Sequence, residues 1–395
     1  MTTTPSQNPA NPVPVRYVGP PTPRALADRL GIPVERLCKL DANESPYGPP
    51  PSALAALVRL ASSPGALASV GRYPDPMGHD LREALARYTG AAPESIVIGN
   101  GSDELIALLA ELVIGPGDEV VVAEPTFGVY GVVATRRGAQ VVDVGREPDF
   151  SLDAERVTRS VTECTRAIIL CGPNNPTGTP LPRETLHAVL EQTRRPDGSG
   201  PLVVLDEAYY EFGAFAGEPG AWTAAPLVAE HGRLVVLRTF SKLFGLAGLR
   251  VGYAICPPEI AAGLRERKQP FNVNRAGLVA AQAALDDADW LAERARAIVA
   301  ERERMARALA GLPGLRVFPS AANFLLMETL NGAAQPLWEA LLDRGIMLRR
   351  FSSERQARYL RVTSGTPEEN DRFLAALTEI MTGSDTSHAR EGGRA

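Results

Sequence analysis

Seven short apolar runs between residues 96 and 255 constrain this chain more than any other feature. They are Ile96–Ile98, Val120–Val122, Val141–Val142, Ala167–Leu170, Leu202–Leu205, Leu234–Leu237 and Tyr253–Ile255. None alternates with polar residues, so each predicts a strand buried on both faces, with helical stretches between. That pattern predicts an α/β fold whose large domain holds a mostly parallel sheet covered by helices. Ligands on such sheets bind where strands give way to helices, so the chemistry is to be sought at the ends of the runs.

A chain of 395 residues is long for one core, and the regions outside the apolar runs divide accordingly. Residues 1–14, rich in Thr, Pro and Asn, predict a disordered arm, and 383–395 a disordered tail. Residues 51–285 form the large domain and 286–382 a smaller α+β domain. The latter reads as strands over Leu315–Phe318, Asn323–Met327, Ile346–Arg349 and Tyr359–Thr363, with a helix around Leu337–Leu342. Its last helix opens on Thr366-Pro-Glu-Glu369, a capping box with proline at the first helical position. Before it, Asp289–Leu309 reads as a helix dense in Arg and Glu whose charges form a solvated face.

Composition excludes several functions. A net charge of −5 gives no reason to expect nucleic acid, and no apolar run reaches membrane-spanning length. Cys38, Cys164, Cys171 and Cys256 form no C-x-x-C pair and no cluster with histidine, so no metal site is expected. With no secretory signal, they read as free thiols in the cytoplasm.

The cations are almost all arginine: only Lys39, Lys242 and Lys268 are lysines among 41 basic residues. A lysine amine can lose its proton and attack a carbonyl, which a guanidinium cannot do. Lys242 follows the run Leu234–Leu237 and precedes Gly245, Gly248, Arg250 and Gly252. With Ser241 beside it, this stretch offers a hydroxyl, a cation and close backbone approach, a combination suited to a phosphate.

Other run ends carry further candidates. Gly99-Asn-Gly-Ser-Asp-Glu104 precedes a helix, where free N–H groups attract anions. Glu124-Pro-Thr-Phe127 places an aromatic ring after a strand, and Gly172-Pro-Asn-Asn-Pro-Thr-Gly178 is an unusual turn. Leu205-Asp-Glu-Ala-Tyr209 ends a buried strand in carboxylates. That last string also describes the acidic strand of a P-loop ATPase. Such an enzyme needs Gly-Lys-Ser/Thr, and no lysine here follows a glycine.

Together these strings resemble the histidinol-phosphate aminotransferase family, among the fold-type I aminotransferases that use pyridoxal 5'-phosphate. The resemblance runs from about Tyr17 to Ile380. It implies that Lys242 carries the cofactor and moves the substrate proton. Asp206 would pair with the ring nitrogen, Phe127 would stack on the ring, and Asn175 and Tyr209 would face its phenolic oxygen. Ser102, Asp103, Ser241 and Arg250 would hold the phosphate, joined across a homodimer by Tyr73 from Arg72-Tyr-Pro74. Family members often have tyrosine where this chain has Phe127.

For the substrate, the resemblance implies Tyr17, Asn43 (within Lys39-Leu-Asp-Ala-Asn-Glu-Ser-Pro-Tyr-Gly48), Asn175, Arg349 and Arg361. Residues 15–50 would pack with the small domain. Arg350, Arg355 and Arg358 read as surface charge. The implied reaction moves an amino group from L-histidinol phosphate to 2-oxoglutarate, a step of histidine biosynthesis. An aromatic or other amino-acid aminotransferase, including one in a specialised biosynthetic pathway, and a decarboxylase of a phosphorylated amino acid stay open as alternatives. A cofactor-binding regulator is disfavoured, because no helix-turn-helix or basic segment precedes Tyr17.

Overall fold

The computed structural model describes residues 21–62, 65, 70–351 and 353–383. Tyr17, the 1–14 arm and nearly all of the 383–395 tail lie outside the described residues. In chain order the strands are β1 (Cys38–Leu40), β2 (Ile96–Gly99), β3 (Glu119–Val122), β4 (Gln140–Asp143) and β5 (Thr165–Cys171). They continue with β6 (Leu202–Asp206), β7 (Leu234–Thr239) and β8 (Gly252–Ile255). The last four are β9 (Leu315–Val317), β10 (Phe324–Thr329), β11 (Ile346–Arg350) and β12 (Tyr359–Thr363).

All seven apolar runs join one sheet, ordered β2-β8-β7-β6-β5-β3-β4. β4, β3, β5, β6 and β7 are mutually parallel, as double-sided burial requires. β8 alone runs against its neighbours β7 and β2. The reason is the connection. Residues 240–251 contain no crossover helix that could return the chain to the other end of the sheet, so β8 must double back beside β7. Lys242 sits in that reversal. Its neck is closed by Phe240 N–H donating to Val251 O at 3.0 Å, and Gly245 N–H turns back onto Lys242 O at 3.0 Å.

The two faces of this sheet are separate cores. Val203 and Leu205 of β6 pack with Leu186, Phe212 and Ile298, while Leu202 and Val204 pack with Ile106, Leu109 and Tyr130 on the other side. This alternation decides where the residues after Leu205 point.

The second sheet is ordered β1-β11-β12-β10-β9. β1 enters it in parallel with β11, whereas the other pairings are antiparallel. The capping box forms at Thr366 and Glu369, starting the helix Pro367–Thr382, whose Phe373 and Leu377 are buried against this sheet's core.

One expectation fails in the long helix, Ala288–Ala310. Its charges are not all solvated: Arg302 is 2% exposed and falls on the stripe of Ala295, Ile298, Met305 and Leu309. Helical spacing puts the arginine on the buried face. Its charge is met there by Glu218 Oε1 at 2.5 Å and the Ala322 carbonyl at 3.0 Å.

Candidate active site

The lysines divide by their partners. Lys39 is held by Glu44 at 2.6 Å and Asp41 at 3.1 Å. Lys268 donates to Asn272 Oδ1 at 3.0 Å and to the Pro76 carbonyl. Lys242 donates to the Ala42 carbonyl at 3.1 Å, with its Nζ 5.5 Å from the Tyr209 ring centre. Burial pushes its amine down to about 8, and the guanidinium of Arg361 pushes the same way. About a tenth of the amine is therefore uncharged and nucleophilic at pH 7, far more than for an ordinary lysine.

Asp206 ends β6 on the face of Tyr130. Its Oδ2 accepts from Tyr130 O–H at 2.7 Å and its Oδ1 from Ala208 N–H at 3.0 Å. Burial pushes the carboxyl up to about 6, and the Tyr130 bond draws it back. Phe127 lies beside this pair, with its ring edge-on to Tyr130 at 5.6 Å and 85°.

Around Lys242 the two sheets meet. Tyr209 accepts from Asn43 Nδ2 at 2.8 Å, and Asn43 N–H donates to Thr363 Oγ1 at 2.9 Å. Asn43 has φ 55°, a left-handed conformation that asparagine tolerates better than most residues. Arg361 of β12 reaches the large sheet, donating to Asn175 Oδ1 at 2.5 Å and to the Asp41 carbonyl at 2.7 Å. Arg349 is directly opposite Arg361 in the β11–β12 register, so both side chains rise from one face of the sheet.

A third group forms an anion cradle. The helix Ser102–Val113 starts after Gly101 (φ 80°) with no side-chain cap, leaving its first N–H groups open. Arg250 Nη2 bonds Asp103 Oδ2 at 3.0 Å, and its Nη1 donates to Ser241 Oγ at 3.3 Å. Space is tight. A Cβ on Gly101 would lie 2.4 Å from Arg250 Nη2, and one on Gly252 would lie 2.5 Å from Ser102 N. A hydroxyl, a guanidinium and a helix start converge on a cradle that only glycine leaves open, which fits a phosphate. An uncharged amine and a buried carboxylate fit the aldehyde and ring nitrogen of a pyridoxal.

The structure thus brings together Lys242, Asn43, Asn175, Tyr209 and Arg361, with Asp206 and Phe127 beside them and Ser102, Asp103, Ser241 and Arg250 at the cradle. Tyr73 stands apart within this chain. It is 77% exposed and stacks on Phe271 at 4.6 Å. Arg355 pairs with Asp143 and Arg358 with Glu328, while Arg350 covers the Trp338 ring. Sequence reasoning missed Tyr130, and also Thr363 and the carbonyls of Asp41 and Ala42. A tyrosine three residues beyond Phe127 was the available signal, since a buried phenol needs a partner.

The chain is similar to known proteins over most of its length. Residues 35–377 match the family described as aminotransferase class I and II. A histidinol-phosphate aminotransferase of Roseiflexus castenholzii is 45% identical over 360 residues, covering 90% of this chain and 92% of that protein. The chloroplastic histidinol-phosphate aminotransferase 1 of Arabidopsis thaliana is 41% identical, covering 90% and 81%. The crystal structure of histidinol-phosphate aminotransferase from Sinorhizobium meliloti, in complex with pyridoxal-5'-phosphate, superposes with a TM-score of 0.81 at 31% identity. It covers 94% of this chain and 96% of its own.

Proposed function

The chain belongs to the class I and II aminotransferases, in the histidinol-phosphate aminotransferase family, and on that premise we propose that it transaminates L-histidinol phosphate with 2-oxoglutarate as acceptor. Its cofactor would be pyridoxal 5'-phosphate, which Lys242 would hold through the amine, Asp206 at the ring nitrogen and Phe127 at the ring face. Asn175 and Tyr209 would contact the phenolic oxygen. Because Tyr209 accepts from Asn43, its own proton is left to donate. Ser102, Asp103, Ser241 and Arg250 hold the cofactor phosphate.

When bound, the cofactor supplies an electron sink for the substrate carbon that loses its proton. The residues of this chain do the rest. Lys242, whose amine lies near 8, would serve as the base that moves that proton. Asp206 in its ionised form would hold a proton on the ring nitrogen. Asn43, Arg349 and Arg361 receive the distal end of the substrate, together with Tyr17, which lies outside the described residues.

One observation carries the substrate assignment: Arg349 and Arg361 are register partners on one sheet face. Two guanidinium forks suit a dianionic phosphate better than a single carboxylate. The test is a donor panel on Arg349→Gln and the unaltered protein. The substitution should reduce kcat/KM for histidinol phosphate about tenfold more than for phenylalanine, since a charge-assisted contact is worth about 1.5–3 kcal/mol. Equal losses on the two donors, or no turnover of histidinol phosphate by the unaltered protein, would shift the reading to an amino-acid aminotransferase.

The same reading includes a homodimer in which Tyr73 reaches the partner's cofactor phosphate. Tyr73 is exposed, and so are the apolar side chains Leu54, Val58, Val70 and Phe271. Sedimentation showing an active monomer would refute it. Residues 51–285 then act as the large domain and 286–382 as the small one, with the 15–50 segment on the latter, as the β1–β11 pairing favours. No helix among the described residues is long and apolar enough to cross a membrane, which is compatible with a cytoplasmic enzyme.

A further inference from the structure

Asp206 is the residue on which the electron sink depends, and its surroundings contain a side chain with no assigned part. Tyr130 lies on the helix Val129–Arg136 and is fully buried at 0% exposure. Its hydroxyl donates to Asp206 Oδ2 at 2.7 Å, while Ala208 N–H occupies Oδ1 at 3.0 Å. Its ring also meets the edge of Phe127 at 5.6 Å. One side chain therefore touches both the carboxylate assigned to the ring nitrogen and the aromatic assigned to the ring face.

We propose that Tyr130 is a positioning residue. It fixes the rotamer of Asp206 and keeps its carboxylate ionised, and it sets the angle of Phe127 against the same ring. This rests on the reading of Asp206 as the partner of a pyridine nitrogen.

The chemistry supports the assignment. A buried carboxylate is unfavourable unless donors compensate it, and here the two direct donors are a phenol and a backbone amide. Burial raises the Tyr130 phenol well above its ordinary value, so it stays protonated and acts as a donor. Neighbouring Cys171 cannot substitute: its thiol, raised to about 12 by burial, donates to the Pro173 carbonyl at 3.3 Å. With the carboxyl already near 6, loss of the phenol bond would take it towards neutrality at physiological pH. A neutral Asp206 could no longer hold the ring nitrogen protonated.

The experiment uses the full chain reconstituted with pyridoxal 5'-phosphate carrying ¹⁵N in the ring. Tyr130→Phe keeps the packing and removes only the hydroxyl. It should move the ring ¹⁵N resonance towards the unprotonated position and shift the acid limb of the kcat profile to higher pH. It should also weaken cofactor affinity about tenfold, the scale of one hydrogen bond to a charged group. In an Asp206→Asn background the same substitution should change none of these, because the two residues act as one unit. Tyr130→His, which retains a donor, should recover part of the ¹⁵N shift and serves if the phenylalanine variant is poorly folded. An unchanged ¹⁵N position and acid limb in Tyr130→Phe would reduce Tyr130 to packing and overturn the proposal alone. An unaltered protein whose bound cofactor shows an unprotonated ring nitrogen would overturn the reading of Asp206 itself.

Discussion

Asp206 and Glu207 are adjacent, both buried and both carboxylates, but at the end of β6 they turn to different partners. Glu207 meets a full counter-ion. Its Oε2 receives Arg238 Nε at 2.9 Å and Thr223 Oγ1 at 2.8 Å, and its Oε1 receives Ala224 N–H at 2.7 Å. Arg238 is in turn stacked over the Tyr210 ring at 4.3 Å. Among the described residues Asp206 is bonded by the neutral Tyr130 and Ala208 donors, and Lys242 draws its carboxyl down from the same side. One charge is neutralised by the fold. The other is kept buried without such a counter-ion, an arrangement that costs stability and is expected of the functional group proposed above.

Removing the two charges in turn tests that contrast. Asp206→Asn should lower kcat/KM by about 100- to 10,000-fold, the range expected for a group that controls a proton in the transition state. It should also stabilise the cofactor-free protein at pH 7 by about 1–3 kcal/mol. A carboxyl near 6 when folded binds more protons than the unfolded chain between about pH 3.9 and 6, so stability falls as pH rises through that window. The gain should vanish near pH 4. Urea titrations at the two pH values check it, and a loss of stability at pH 7 would remove the contrast.

Glu207→Gln should behave in the reverse sense. It strands Arg238 in the core and should cost about 3–5 kcal/mol, while kcat/KM of the folded fraction stays within about threefold. Denaturation midpoints with active-site titration measure both quantities.

The smallest effect concerns the cation facing Asp206. With the Lys242 amine near 8, its uncharged fraction grows about tenfold per pH unit below that value and then levels. The rate at which cofactor-free protein takes up pyridoxal 5'-phosphate should follow that curve, as stopped-flow absorbance would record. A rate independent of pH between 6 and 9 would show that another group limits capture.

The strands were legible because burial on both faces leaves little choice but Val, Ile and Leu, as in Leu202–Leu205. Most of the candidate site was legible too, because its residues stand in compact strings at strand ends. What was hidden depends on partners remote in sequence. Tyr130 is 76 residues from Asp206, and Asn43 is 320 from Thr363. Arg302 misled because charge suggests solvent, whereas helical phase fixes the side that a residue occupies. The antiparallel β8 was not foreseen, since an apolar run carries no direction.

The pairing of β1 with β11 has a consequence for how the enzyme is made. Cys38 lies opposite Ile346, and the carbonyls of Asp41 and Ala42 that meet Arg361 and Lys242 follow directly after β1. A ribosome adding about 5–20 residues per second would deliver β11 roughly 15–60 s after β1. Throughout that interval the β1 segment has no strand to join, and the large sheet must form without it. The pocket is therefore among the last parts of the molecule to be completed during translation. A nascent chain stalled before β11 should expose Lys242 without the Ala42 carbonyl that restrains its amine.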